Sequence, residues 1–241
     1  MATIQDQLTT NLRAKFLPVS QTWLNEFLST TNRNVPISAL TQTTLFRVLA
    51  SDLRQSLNTR NTNKLPIDIY DPAVRERRLP ASIPVQVIDI EDIGSSLWNK
   101  VEAIERVERG EAVRGREIVR TVNVGDDEPD GTNGATNTGA GGNANANANA
   151  SESNGPHRLI LQDAAGTRAV AIEMKRITGI EINKLSIGAK LLLRNATVAR
   201  GMVLLTPESA EILGGKIEVM DQAWKAGRKA RLLEKVTAAG G

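Results

Sequence analysis

The chain has 241 residues, 40% of them hydrophobic, a formal net charge of +3 and no cysteine. That length and composition suit one sizeable core or two small ones, and exclude a fibrous or wholly disordered chain, disulfides, thiolate metal sites and thiol nucleophiles. A single histidine, His157, and a single tyrosine, Tyr70, leave few side chains able to serve as base or nucleophile, so composition points away from an enzyme.

From the N-terminus, MATIQDQLTTNLRAKF lacks the apolar core of a secretion signal, and no stretch of the chain reaches the roughly 18 apolar residues of a membrane span. The expectation is a protein that stays inside the cell. Ile4, Leu8, Leu12 and Phe16 recur at helical spacing until Pro18 breaks the run. Ser20 then caps a short helix carrying Trp23, Leu24, Phe27 and Leu28, and Ser38 caps a third with Leu45, Val48, Leu49, Leu53 and Leu57 on one stripe. Residues 1–60 therefore read as a three-helix bundle, with Trp23 and Phe46 as core residues.

Residues 61–82 hold Pro66, Pro72 and Pro80 and read as an extended connector, with Tyr70 a loop aromatic pinned onto a core surface. Beyond it, IPVQVIDIEDIG is a strand rich in β-branched residues, and Glu91 and Asp92 form its solvated end, since adjacent carboxylates on a strand point to opposite sides. Four further strands follow later: RLILQD, entered through His157, then RAVAIEM, AKLLLRN and a longer one around MVLLTPESAEIL. Turn signals fall at 163–166, 179–188 and 199–201.

Between the first of these strands and the rest lies a span of residues 92–156, containing an Asn/Gly-rich tract over about 125–155. One strand alone would leave its ladder unpaired, so the tract is a loop inside one domain, and five strands with a crossover between the third and fourth match an OB-type barrel over 83–221. Closing such a loop costs only about 0.6 kcal/mol for each doubling of length. The span opens with a serine cap and a short helix carrying Trp98, Val101, Ile104 and Val107. Ile118, Val119 and Val122 then form an apolar cluster flanked by Arg114, Arg116 and Arg120, the composition of a partner-docking loop; the alternative is that it packs back on its own barrel.

No aromatic residue occurs between Trp98 and Trp224, so the strands lack the stacking platforms of single-strand binders. Val170, Ile172, Met174, Leu191, Leu193, Val203 and Leu205 read instead as an aliphatic face suited to protein. Residues 222–241 form a basic helix and tail. Lys225, Arg228, Lys229 and Arg231 are its candidates for weak, salt-sensitive DNA contact.

IPVQVIDIEDIGSSLWNKVEAIERVERGE, GPHRLILQDAAGTRAVAIEM and LSIGAKLLLRNATVARGMVLLTPESAEILGGKIEVMD together resemble the family of RecQ-mediated genome instability protein, subunit one, in its fungal form. The resemblance covers most of residues 1–221, and GAKLLLRN and LLTPESAEILGG are its most specific parts. It implies an α+β architecture of helical bundle, OB-fold and C-terminal helix, without enzymatic activity, cofactor, small-molecule substrate or membrane association. It also implies a nuclear complex with a type IA topoisomerase, topoisomerase III, and a RecQ-family helicase, which dissolves double Holliday junctions and decatenates DNA. In that family the insertion after the first strand reaches toward the topoisomerase's DNA gate and favours its open state. Mapped onto this chain, Trp98, Arg116, Ile118, Val119, Arg120 and Val122 are the partner residues of the loop. Lys190, with Leu191 and Leu193, marks the partner-facing barrel surface, the alternative for Lys190 being an ordinary solvated lysine at a strand start. Longer animal relatives add a second OB domain where this sequence has its basic helix. The reading of a different class is a single-stranded DNA-binding OB module.

Overall fold

The computed structural model describes residues 3–31, 35–59, 63–110, 112–113, 116–117 and 155–239. In the helical domain, α1 (Ile4–Ala14) starts at Thr3, whose hydroxyl accepts from Asp6 N while the Asp6 carboxylate accepts from Thr3 N, a reciprocal capping box. The helix stops before Pro18, and Phe16 takes a left-handed φ of 61° as the chain turns. α2 (Gln21–Thr30) follows Ser20, and α3 (Ile37–Ala50) follows Pro36, so the helix starts one residue before Ser38, the expected cap. A short α4 (Leu53–Ser56) is capped by Asp52. Leu8, Leu12, Leu24, Leu40, Val48, Leu53 and Leu57 close the core, with Trp23 stacked on Phe27 at its edge. Phe46 does not join it: it is 70% exposed, because it projects from the side of α3 opposite Leu40, Thr44 and Val48.

The connector contributes β1 (Arg77–Leu79), and Tyr70 is exposed instead of pinned, since Ile69 beside it takes the buried position. Then come β2 (Ile83–Asp92), α5 (Leu97–Glu108), the small pair β3 (Ala112–Val113) and β4 (Arg116–Glu117), β5 (His157–Asp163), β6 (Arg168–Glu173), β7 (Lys190–Leu193), β8 (Ala196–Ala199), β9 (Met202–Leu205), β10 (Ala210–Gly214) and α6 (Glu218–Ala239). The main sheet runs β1-β8-β9-β6-β5-β2-β7-β10, antiparallel except for the parallel β6–β9 pair. Leu79 on the first strand of that order and Ala210 on the last share one core with Val85, Leu159, Ala171, Leu191 and Val203, so the sheet curls around a single apolar interior.

The strand over MVLLTPESAEIL is two strands, β9 and β10. Ser209 N and Ala210 N both donate to Thr206 O, and the Ser209 hydroxyl accepts from Thr206 N, which folds the chain back between them. Before β9, Arg200 (φ 51°) and Gly201 (φ 80°) make the tight turn of the β8–β9 hairpin. A Cβ at Gly201 would lie 2.5 Å from Tyr70 O, so glycine is required there twice over. β2 and β5 are paired from Val85–Asp163 to Asp92–His157, so residues 93–156 leave and re-enter the sheet between adjacent strands.

Candidate partner-binding surface

The root of the insertion is a narrow neck. Ile93 N donates to Pro156 O at 3.0 Å, and the backbones at Gly94 and Gly155 approach so closely that a Cβ on either would lie 2.8 Å from the other's Cα. Asp92, expected at a solvated strand end, is 2% exposed because it organises this neck: its carboxylate accepts from Gly94 N at 2.7 Å and from the Ser95 hydroxyl at 2.5 Å. Opposite it, His157 is buried, with Nδ1 2.7 Å from Glu173 Oε2, while Glu173 Oε1 accepts from Ile177 N at 2.6 Å. His157 is a strand-entry residue, as its sequence context indicates, and also a buried tie between β5 and the turn after β6.

From the neck rises α5. The Ser96 hydroxyl accepts from Asn99 N to cap it, and Lys100 and Val101 are its buried residues. Trp98 is 66% exposed on the first turn, an accessible indole at the base of the insertion. Arg116 lies in β4, where the structure describes only the strand; Ile118, Val119, Arg120 and Val122 lie outside the described residues, as does almost all of the Asn/Gly-rich tract.

α6 lies beside α5 and spends much of its charge within the fold. Lys229 reaches Glu108 at 2.6 Å and Glu105 at 3.4 Å on the last turn of α5, and these hydrogen bonds and charges raise its pKa. Lys235 meets Glu91 on β2 at 2.8 Å, with Lys100 of α5 also 3.7 Å from that carboxylate. Burial opposes ionisation of Glu91, but Lys235, Lys100 and Arg158 together hold its pKa below the ordinary value. Lys225 binds Asp221 at 2.6 Å, and Asp221 also accepts from Ile187 N; despite its burial these bonds hold its carboxyl low. Arg228 and Arg231 lie 5.4 and 5.8 Å from the centroid of Trp224, whose Nε1 donates to Asp89 at 2.6 Å. The four residues expected to contact DNA thus each have a partner inside the protein. Glu105 and Glu108, the partners of Lys229, are a carboxylate pair one turn apart on α5, a spacing visible in the sequence.

The structure corrects the barrel-surface assignment. Lys190, Leu191 and Leu193 are all 0% exposed. Leu191 and Leu193 point into the barrel, as do Val203 and Leu205, because alternate residues of these strands must fill it. Lys190 points the other way, but the helical domain covers it. Its Nζ donates to Gly188 O, and across the sheet it pairs with Gln86, which accepts from Leu53 N at 3.0 Å and donates to Asp52 at 2.9 Å. This polar joint fastens α4 to β2 and β7. Burial lowers the Lys190 pKa to about 8, partly offset by the Asp52 charge. Val170 and Ile172 do face outward from β6, and Met174, just past its end, is 58% exposed.

Among the described residues no cluster of three or more histidine and carboxylate side chains could hold a metal ion, and no helix is long and apolar enough to cross a membrane. The candidate binding features are surfaces: a capped helix presenting Trp98 beside a pinned neck, a charge-latched helix α6, and an outward apolar sheet face.

Comparison with known families matches residues 53–228 to the RMI1 N-terminal OB-fold domain and residues 12–56 to the RMI1 N-terminal helical domain. The RecQ-mediated genome instability protein 1 of Schizosaccharomyces pombe is 30% identical over 219 residues, covering 89% of each chain. Helical domain, curled OB sheet and sequence agree along the same span, and the chain belongs to the family of RecQ-mediated genome instability protein 1.

Proposed function

We propose that this protein is a non-catalytic structural and regulatory subunit of a nuclear RecQ helicase–topoisomerase III complex. Its OB-fold anchors the type IA topoisomerase, and the insertion rooted at the Gly94–Gly155 neck acts on that enzyme to promote decatenation and dissolution of double Holliday junctions. Membership of the family carries the proposal. The geometry supports it through the exposed indole of Trp98 where the insertion leaves the barrel, since large aromatic side chains dominate protein interfaces. Engagement of the α6 cations within the fold weighs against a chain whose main ligand is single-stranded DNA.

Co-elution of the purified full chain with its cognate topoisomerase III, followed by a decatenation assay, tests the reading. Removal of residues 109–154 is expected to abolish stimulation of decatenation while co-elution persists. Trp98→Ala is expected to weaken the complex about 30-fold, the ~2 kcal/mol of an aromatic hot spot. Absence of co-elution with the full chain would sink the proposal. Steeply salt-dependent oligonucleotide binding by the isolated chain in its place would establish the single-strand reading.

A further inference from the structure

The outward face of the sheet carries a pattern that strand registers make explicit. One row across it runs Arg78, Thr197, Leu204, Ile172, Arg158 and Glu91, on β1, β8, β9, β6, β5 and β2. The adjacent outward row runs Ala199, Met202, Val170, Ile160 and Asp89. At the Asp89–Glu91 end the face is covered by α6, which brings Trp224 to Asp89 and Lys235 to Glu91. The remainder has an aliphatic centre of Ile160, Val170, Ile172, Met202 and Leu204, each partly exposed and in neither hydrophobic core.

Charge decides what fits there. Outward positions of β5, β6, β8 and β9 include no carboxylate, while Arg158 and Arg168 lie on the strands, Arg78 lies across from Thr197, and Arg200 caps the β8–β9 hairpin. Lys235 and Lys100 make the ion pairs to Glu91, while Arg158, paired across from it, adds positive charge at the border of the open face. The covered end is an acidic strand segment met by a cationic helix; the open end is an apolar segment framed by arginines, the inverse charge. A helix already covers the other end of this same face, and helix on sheet is one of the stable layer packings. With no aromatic residue on these strands, base stacking has no platform.

We propose that the outward face of β5, β6, β9 and β8 docks an acidic amphipathic helix of a partner protein, its aliphatic stripe on Val170, Ile172 and Met202 and its carboxylates on Arg78, Arg158 and Arg168. This stands apart from the insertion, so a chain that failed to bind topoisomerase III would leave it intact.

The test uses the full chain with labelled Ile, Val and Met methyl groups and three probes: an 18-residue synthetic helix with a leucine stripe flanked by glutamates, the same helix with lysines for the glutamates, and oligo-dT. The glutamate helix is expected to shift the methyl signals of Ile160, Val170, Ile172 and Met202, and to bind at least 10-fold tighter than the lysine helix. Arg78→Glu with Arg168→Glu is expected to reduce its affinity at least 10-fold while the core methyl spectrum stays native; these exposed substitutions leave the packing intact. Equal affinity for the two helices, shifts confined to other methyls, displacement of the same methyls by oligo-dT, or no shift at millimolar glutamate helix each overturn the proposal.

Discussion

At the scale of single residues, the buried lysine is the sharpest case. Lys190 has an ordinary pKa of 10.5 and a value of about 8 in the folded protein, so it binds its proton less tightly folded than unfolded. Between those values the unfolded chain holds more protons, and stability contributed by this site rises with pH through the window of about 8 to 10.5. The charged form is disfavoured by about 3 kcal/mol, at 1.36 kcal/mol per tenfold in proton affinity. The melting temperature of the wild type is therefore expected to gain on that of Lys190→Met between pH 7.5 and 10; a constant difference would place the ammonium outside the buried joint. At the neck, Gly155→Ala is expected to destabilise the domain by about 1–3 kcal/mol through backbone displacement, measurable as a lower denaturant midpoint. Neither residue was legible in the sequence. Lys190 opens the run KLLL, whose four residues are all buried because β7 is covered on both sides, so alternation could not say which way lysine points. Gly155 sits at the end of a glycine-rich tract, where composition conceals the one position needed for close approach.

Among elements, the α5–α6 latch ties the C-terminal helix to the base of the insertion. Its pairs are partly exposed and screened by solvent, so each adds little to global stability. Lys229→Glu is expected to increase amide exchange in α6 and the last turn of α5, with little change in global stability, and adding Glu105→Lys and Glu108→Lys is expected to restore protection. Failure of the swap to rescue would show that packing around Leu232 and Trp224, and not charge, holds the helix. α1, α2, α3 and the strands β2, β5, β6 and β7 follow from apolar periodicity and turn residues alone, whereas α4, read as the end of the third helix, is split from α3 at Ser51 and capped anew by Asp52. β1 and β8 do not. The first hides among prolines as three residues, and the second is the small-residue stretch ATVA, whose strand character comes from pairing with β1 and β9 and not from its own side chains.

For the molecule as a whole, two hydrophobic cores meet across the joint of Asp52, Gln86 and Lys190, reinforced by Leu213 and Ala164 against the helical core. Because Gln86 is fully buried and satisfies Leu53 N, the two domains are expected to unfold as one calorimetric transition. Gln86→Leu is expected to split or broaden it, leaving Leu53 N unpaired; a single unchanged transition would assign the coupling to the apolar contacts. An OB domain with an internal insertion was legible from one strand stranded before the tract and the rest after it. The joint was not, since nothing in the helical periodicity marks Asp52 as a residue that reaches another domain.

The neck also bears on how such a chain changes over generations. Its ends are fixed by bonds among Asp92, Ile93, Gly94, Ser95 and Pro156, none of which depends on how many residues lie between Ser95 and Gly155. A stretch of Asn-Ala repeats is the kind of sequence that copying errors lengthen and shorten in small steps. Where closure costs grow only with the logarithm of length, those steps are nearly invisible to selection on stability. The length of the insertion can thus change while the barrel that holds it stays fixed, which separates the evolution of the inserted span from that of the fold beneath it.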